Sequence, residues 1–201
     1  MKLIRDSALC LLHLLLLAEP VVRSSARPAH RSPLCGMFRP MIHHVDSLLT
    51  LSHELHALTG EELENFEAAE HRLDGLLHIE HTFAHFSSLE VNQSLSKLLL
   101  YTRAFRLHAD WLMKAKENVS LSSRSAEGAS DHLLQLSNLL NASLHQMGAE
   151  APQPPPPSLP VVSRAFDVLR FSVEISERLQ VFCNWSKRAL VRLQRRSCPR
   201  G

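Results

Sequence analysis

Hydrophobic and polar positions alternate at helical spacing along most of this chain. The clearest pattern covers residues 161–196, where apolar side chains recur every three or four positions and fall within roughly 60° of one line on a helical wheel. The residues on this line are Val161, Val168, Ile175, Leu179, Phe182, Ala189, Leu190 and Leu193. The pattern predicts a long amphipathic helix that buries one face against the rest of the protein.

The same spacing predicts three earlier helices, over about 38–58, 94–116 and 130–147. The first is expected to end just before Gly60. The third is expected to stop at Gly148, since glycine readily adopts the left-handed conformation that follows a helix.

The connections between these helices differ in reach. Residues 61–93 are acidic and mixed, with helical turns predicted around 63–73 and 76–86, and we interpret them as a long ordered crossover. Residues 117–129 form a short polar connection. Residues 148–160 carry a run of prolines that rises about 3.1 Å per residue and covers roughly 40 Å, the length of a helix of about 25 residues. Three connections that are long, short and long, in that order, predict an all-α, up-up-down-down four-helix bundle with two long crossover connections.

The amino terminus has the features of a secretory signal. Residues 1–26 have a basic start, an apolar stretch over Ala8–Ala18, and small residues at Ser24 and Ala26. The apolar stretch is too short to span a bilayer. We therefore expect cleavage after Ala26, a single helical domain over 27–201, and a secreted, extracellular protein without membrane insertion.

Four Asn-x-Ser sequons fit a secreted protein. Asn118 is the best glycosylation candidate because it lies in a polar connection, and Asn92 and Asn141 are further candidates. Asn184 lies within the last predicted helix beside Trp185, and we interpret it as a chance match.

Three cysteines remain after the expected cleavage. Cys35 lies just before the first predicted helix and Cys198 just after the last, whereas Cys183 lies inside that helix. In the predicted topology the start of the first helix and the end of the last share one end of the bundle. We therefore favour a Cys35–Cys198 disulfide with Cys183 as a free thiol.

Charge and exposed side chains bear on function. The formal net charge is only +2, which favours neither nucleic acid nor an anionic membrane as a partner. Acidic residues concentrate in 61–90 and basic ones in 161–201, so this asymmetry either steers a partner or lets the acidic segment lie across the basic helix.

The helical wheel places Phe166, Val173 and Arg188 off the apolar line of the last helix. Exposed groups of this kind are typical of binding proteins.

An enzyme would need a catalytic site, and only the histidines offer one. His78, His81 and His85 would share a helix face, and His53 and His56 form a weaker pair. We interpret these residues as surface histidines and predict no metal site, no cofactor and no enzymatic activity. A secreted helical lipid carrier is an alternative to a receptor ligand.

Four stretches resemble the long-chain helical cytokines of the interleukin-6 group. These are Leu73-Asp74-Gly75-Leu76, the helix segment Phe105–Ala115 with its Trp111-Leu112, the proline-rich connection, and Asn184-Trp185-Ser186-Lys187-Arg188-Ala189-Leu190. The resemblance covers most of the chain after residue 26, and the order and spacing of the four stretches make it specific.

The resemblance implies a ligand, monomeric when free, with three receptor-binding surfaces. The end of the last helix would meet a specific alpha receptor, with Arg188 matching the family's arginine there. The first and third helices would meet one copy of the shared signalling receptor, glycoprotein 130, and the start of the last helix a second copy. Phe166 occupies the position of an exposed tryptophan in the family. The implied outcome is JAK/STAT signalling that affects haematopoiesis and cell proliferation.

The chain departs from the family pattern in places. Phe166 retains an aromatic ring but lacks the larger area and the N–H donor of tryptophan. Mammalian members lack cysteines in the mature chain, so the cysteines here suggest a divergent, non-mammalian vertebrate member. Another cytokine of the interleukin-6 group is the alternative within the family.

Overall fold

The computed structural model describes residues 33–67, 73, 76, 79 and 90–198. Within these residues the secondary structure is entirely helical. The elements are α1 (Pro33–Glu54), α2 (Gly60–Glu67), α3 (Val91–Asn118), α4 (Arg124–Gln146) and α5 (Ala165–Ser197). The four long helices, α1, α3, α4 and α5, correspond to the four predicted from hydrophobic spacing. The predicted signal peptide and the histidines at 78, 81 and 85 lie outside the described residues.

Helix α1 runs antiparallel to both of its main neighbours, α4 and α5. At the start of α4, the Ser125 hydroxyl donates to the Glu54 carbonyl at the end of α1, over 3.1 Å. At the opposite end of the bundle, the Cys35–Cys198 disulfide joins the first turn of α1 to the end of α5. Helices α4 and α5 are therefore parallel to each other and opposite to α1.

Helix α3 is antiparallel to the same two helices. Near its start, Tyr101 packs edge-on against Trp185 of α5 with ring centroids 5.4 Å apart. Further along, Trp111 packs edge-on against Phe171, near the start of α5, at 5.6 Å. The short link 119–123 turns the chain from α3 directly into α4. The helices thus run up, up, down and down, and the predicted all-α four-helix topology is confirmed.

The space between the long helices is filled by aliphatic side chains and phenyl rings, the largest of which are Phe38, Phe105 and Phe182. Phe105 and Phe182 pack together with centroids 5.0 Å apart. Several buried hydroxyls donate to a carbonyl one turn earlier in their own helix: Thr102, for example, donates to the carbonyl of Leu98 over 2.7 Å. These hydroxyls can therefore lie in a dense core without being left unpaired.

Helix α1 ends at Glu54, four residues before the predicted end at 58. The chain turns at Ala57, whose φ of 54° is left-handed. The Lys116 ammonium of α3 donates to the carbonyl of Leu55 and to that of Ser122. Leu55 is still fully buried after the helix has ended, which explains why the apolar pattern alone overestimates the helix.

Helix α4 begins at Arg124, six residues before the predicted start at 130. Gly128, interpreted from the sequence as part of a polar connection, lies inside the helix. A Cβ atom there would lie 3.3 Å from Cδ1 of Leu51, so the glycine permits close packing of α4 on α1. At the other end Gly148 has a φ of 64° and terminates α4 as predicted.

The beginning of α5 corrects two expectations from the helical wheel. Val161, placed on the buried line, precedes the helix and is fully exposed, because the extended chain of the proline-rich segment continues to Ser163. Val173, placed on the outer face, is completely buried. At the next residue, the Glu174 carboxylate accepts the backbone N–H of Leu73, so part of the first crossover packs on this stretch of α5.

The proline-rich crossover lies along α3. The Arg103 guanidinium donates to the carbonyl of Pro152 at 2.6 Å, and the Trp111 indole N–H donates to that of Pro160 at 3.1 Å. The segment therefore runs in the same direction as α3 and returns the chain to the end of the bundle where α5 begins. Of the helices described, none combines the length and apolar character needed to span a bilayer.

Candidate functional site

Phe166 lies in the first turn of α5 and is 58% exposed. Among the described residues, it is the only aromatic side chain in the set of large exposed hydrophobic residues, which also contains Leu107, Val161 and Val181. A phenyl ring gains favourable free energy when it leaves water, so contact with a partner at this exposed position would be favourable.

The structure beneath Phe166 holds the start of α5 in place. Trp111 contacts Phe171 edge-on, and the Arg170 guanidinium lies 5.0 Å from the centre of the Phe171 ring. The same Trp111 binds the carbonyl of Pro160. Phe166 therefore projects from a helix end that is supported by both α3 and the proline-rich crossover.

Arg188 is exposed near the other end of α5. Val181 and Asn184 precede it at spacings that place all three on one helix face, and we refer to these three residues as the distal α5 surface. No carboxylate among the described residues lies within ion-pair distance of Arg188. The neighbouring Lys187, by contrast, pairs with Asp46 of α1 at 2.7 Å. Arg188 is thus a cation in solvent, with its donors available to a partner.

Phe166 and Arg188 are 22 positions apart on one continuous helix. At 1.5 Å and 100° per residue, this places them roughly 33 Å apart along the axis and within about 40° of each other around it. The aromatic and the cationic side chain therefore occupy opposite ends of one rigid element, too far apart for a single small ligand.

An ion pair in α5 between the buried Glu174 and the half-buried Arg178 was not recognised from the sequence. Glu174 is 1% exposed, and its Oε1 accepts hydrogen bonds from the Leu73 N–H at 3.0 Å and from Arg178 at 2.7 Å. Arg178 also donates to the carbonyl of Leu76 at 2.8 Å. These contacts attach the first crossover to α5. The sequence feature that could have indicated this ion pair is the spacing of four residues between a glutamate and an arginine, next to the apolar line of the helix.

The cysteines are arranged as the sequence favours. Cys35 and Cys198 form a disulfide with Cα atoms 5.8 Å apart, and Cys183 is a free, fully buried thiol. Burial raises the pKa of the Cys183 thiol, and the nearby Asp46 carboxylate adds to the rise. Cys183 therefore stays protonated and serves as a small apolar core residue.

The sequons differ in accessibility. Asn118 and Asn141 are exposed, whereas Asn92 is half-buried and its side-chain oxygen accepts the Gln93 N–H at 2.8 Å. Asn184 is exposed, and its amide donates to the carbonyl of Gln180 at 3.0 Å. Glycosylation at Asn92, Asn118 and Asn141 stays a prediction.

Two histidines that were considered as metal ligands, His53 and His56, are not part of a larger ligand group. Within the described residues, no three histidine, cysteine or carboxylate side chains are arranged to hold a metal ion. Nδ1 of His56 instead accepts the Leu58 N–H at 3.1 Å. Burial lowers the pKa of His56, with smaller contributions from Lys116 and His53, so its imidazole is neutral near pH 7.

The paired carboxylates Glu61 and Glu62 begin α2. Glu62 accepts from both the backbone N–H and the hydroxyl of Thr59, at 2.8 and 2.9 Å, which caps the helix. The hydrogen bond from the Thr59 backbone lowers the pKa of the Glu62 carboxyl. Glu62 is therefore a capping residue of α2.

Four long helices in one bundle, joined by two long crossover connections, are the architecture of the long-chain helical cytokines. In this chain a disulfide also joins the start of α1 to the end of α5. The model of one protein family, described as Interleukin 11, matches residues 28–197 of the chain. The match covers most of the sequence, and the chain belongs to the Interleukin 11 family, a family of cytokines and not of enzymes. A search of the curated proteins finds no match to the chain.

Proposed function

We propose that this chain is a secreted interleukin-11-type cytokine whose signal peptide, residues 1–26, is removed on export. It binds interleukin-11 receptor alpha and the shared signalling receptor glycoprotein 130. By bringing these receptors together it activates JAK/STAT signalling and affects haematopoiesis and cell proliferation. The free ligand is a monomer and requires no cofactor.

The distal α5 surface is the proposed contact for interleukin-11 receptor alpha. Arg188 supplies a planar guanidinium that can bind a carboxylate through two parallel hydrogen bonds. Val181, 39% exposed, supplies apolar area two turns earlier on the same helix face. Arginine is among the residue types that carry most of the binding energy in protein interfaces.

Phe166 is the proposed anchor for one copy of glycoprotein 130. Its ring is exposed while the helix beneath it is held by Trp111 and Phe171, so binding would immobilise little more than the ring itself. The outer faces of α1 and α4 are the proposed contact for a second copy. These two helices are antiparallel neighbours and form one continuous side of the bundle.

The observation that carries the proposal is the placement of Phe166 and Arg188 at opposite ends of α5, roughly 33 Å apart. A rigid helix with a separate anchor at each end can hold two receptor chains at a defined distance. Because signalling by receptor assembly needs two independent contacts, loss of one should leave the other intact.

The alpha-receptor contact is tested by the Arg188→Ala variant. The affinity of the purified protein for the ectodomain of interleukin-11 receptor alpha should fall by about 1–3 kcal/mol, or roughly 5- to 150-fold. Arg124→Ala is the matched control, since Arg124 is exposed at the start of α4 and far from this surface. An unchanged dissociation constant for the Arg188 variant would remove this residue from the interface.

The second contact is tested by Phe166→Ala. This variant should fold normally and bind interleukin-11 receptor alpha with unchanged affinity, yet induce less STAT phosphorylation in cells that carry both receptors. Leu107→Ala, which removes an exposed apolar side chain from α3, is the control and should signal normally. Full signalling by the Phe166 variant would show that its ring is no anchor.

Receptor choice separates this proposal from the alternatives. A pull-down with a panel of receptor ectodomains from the interleukin-6 group should select interleukin-11 receptor alpha, and selection of a different alpha receptor would indicate another cytokine of the group. A helical lipid carrier would bind liposomes in flotation assays. The dense core and the disulfide between Cys35 and Cys198 oppose the opening that a carrier requires.

A further inference from the structure

Two histidines from different helices meet on the side of the bundle formed by α1 and α4. Nδ1 of His44 lies 3.0 Å from Nδ1 of His132, and the ring centroids are 5.3 Å apart. Both side chains are half-buried. Because 88 positions separate them in sequence, only the packing of α1 on α4 creates this pair.

The two nitrogens face each other in a way that suits a bound cation. A neutral imidazole carries a lone pair on one ring nitrogen, and two lone pairs cannot face each other at 3.0 Å unless a proton or a metal ion lies between them. In the metal-free protein one ring donates an N–H to the other. Imidazole is a preferred ligand of zinc, copper and nickel ions.

The separation of the two nitrogens fits metal coordination. With metal–nitrogen bonds of about 2.0–2.1 Å, a spacing of 3.0 Å corresponds to an angle of about 95° at the metal. This is close to the right angle between neighbouring ligands in square-planar and octahedral complexes. Tetrahedral zinc needs the nitrogens about 3.3–3.4 Å apart, which a rotation of half-buried side chains can supply.

We propose that His44 and His132 form a two-histidine binding site for a divalent transition metal ion, which would link α1 to α4. The neighbouring His43 is exposed, and its ring lies 5.8 Å from that of His44. The protein thus supplies two ligands from the described residues, and water completes the coordination. Such a site is open to solvent and exchanges its metal readily.

Metal binding at this site should stabilise the fold. The two ligands are close together only in the native state, so an ion that needs both binds the folded protein more tightly than the unfolded chain. The inference does not rest on the proposed function, although the pair lies on the side of the bundle proposed to contact a second copy of glycoprotein 130.

Zinc chloride is the probe for the first test, with the disulfide-intact protein that has lost its signal peptide. Addition of zinc should raise the melting temperature of the wild type, and EDTA should reverse the rise. His44→Ala and His132→Ala should each lose this zinc-dependent rise. His145→Ala should keep it, because His145 is exposed near the end of α4 and distant from the pair. A rise of equal size in all variants, or none in the wild type, would overturn the proposal.

A second measurement needs no substitution and so does not depend on how the variants fold. In imidazole-selective NMR spectra of the wild type, the side-chain resonances of His44 and His132 should shift together on addition of the first equivalent of zinc. Zinc-induced shifts confined to other histidines would refute the site.

Discussion

The carboxylate of Glu174 accepts the backbone N–H of Leu73 at 3.0 Å, across 101 positions of sequence. Arg178 completes the arrangement by binding both Glu174 and the carbonyl of Leu76. Leu73, Leu76 and Ile79 are buried, so these polar contacts align an apolar edge of the first crossover with α5. The ion pair between Glu174 and Arg178 in α5 thereby positions the first crossover, which is distant in the sequence.

Replacement of Glu174 by alanine should release this part of the crossover. The Leu73 N–H would lose its acceptor in a buried setting, and the half-buried Arg178 guanidinium would keep only the carbonyl of Leu76, so the free energy of unfolding should fall by about 1–3 kcal/mol. Urea denaturation measures the loss, and hydrogen exchange at the Leu73 amide should become much faster. The exposed Glu177 provides the control. If Glu177→Ala destabilised the protein as much, a specific role for Glu174 would be ruled out.

A substitution at Gly128 tests the close packing of α4 on α1. Alanine favours the helix by about 0.5–1 kcal/mol relative to glycine, and its Cβ would meet only the end of the half-buried Leu51 side chain, which can move. We therefore expect Gly128→Ala to increase the free energy of unfolding slightly. Gly128→Val adds two methyl groups to the same contact and should decrease it. Thermal and urea denaturation of both variants provide the comparison, and a more stable valine variant would contradict this account.

The disulfide should contribute to stability because it closes a very long loop. Residues 35 and 198 are separated by 163 positions, so the bond removes much conformational entropy from the unfolded chain. The double variant Cys35→Ser, Cys198→Ser should keep its helical content and lose about 3–5 kcal/mol of unfolding free energy. Reductant should destabilise the wild type by a similar amount and leave the double variant unchanged. A reductant effect in the double variant would point to a different bond.

The stability of the protein should decrease in mild acid, in part because of His56. Its folded pKa is below 6.5, so as pH falls through 6.5 the unfolded chain takes up a proton that the folded protein does not. The free energy of unfolding therefore declines until the folded pKa is passed and then levels off. His56→Asn retains an acceptor for the Leu58 N–H but does not titrate, so denaturation between pH 7.5 and 5 should show a shallower decline. An unchanged slope would mean that other groups account for the pH dependence.

The sequence by itself determined the four long helices, the lengths of their connections and hence their directions. Hydrophobic spacing reports which side of a helix meets the core, and chain length limits how far a connection can reach. It also placed Phe166 and Arg188 on exposed positions, since both lie off the apolar line of the last helix.

Only the tertiary structure decided which segments cover each helix. Val173 is buried although it lies off the apolar line of α5. Gly128 lies inside α4, where a Cβ atom would meet the Leu51 side chain of α1. The pairing of His44 with His132 likewise arises from two helices that are distant in sequence. Periodicity describes one helix at a time, whereas these contacts depend on how separate segments pack in three dimensions.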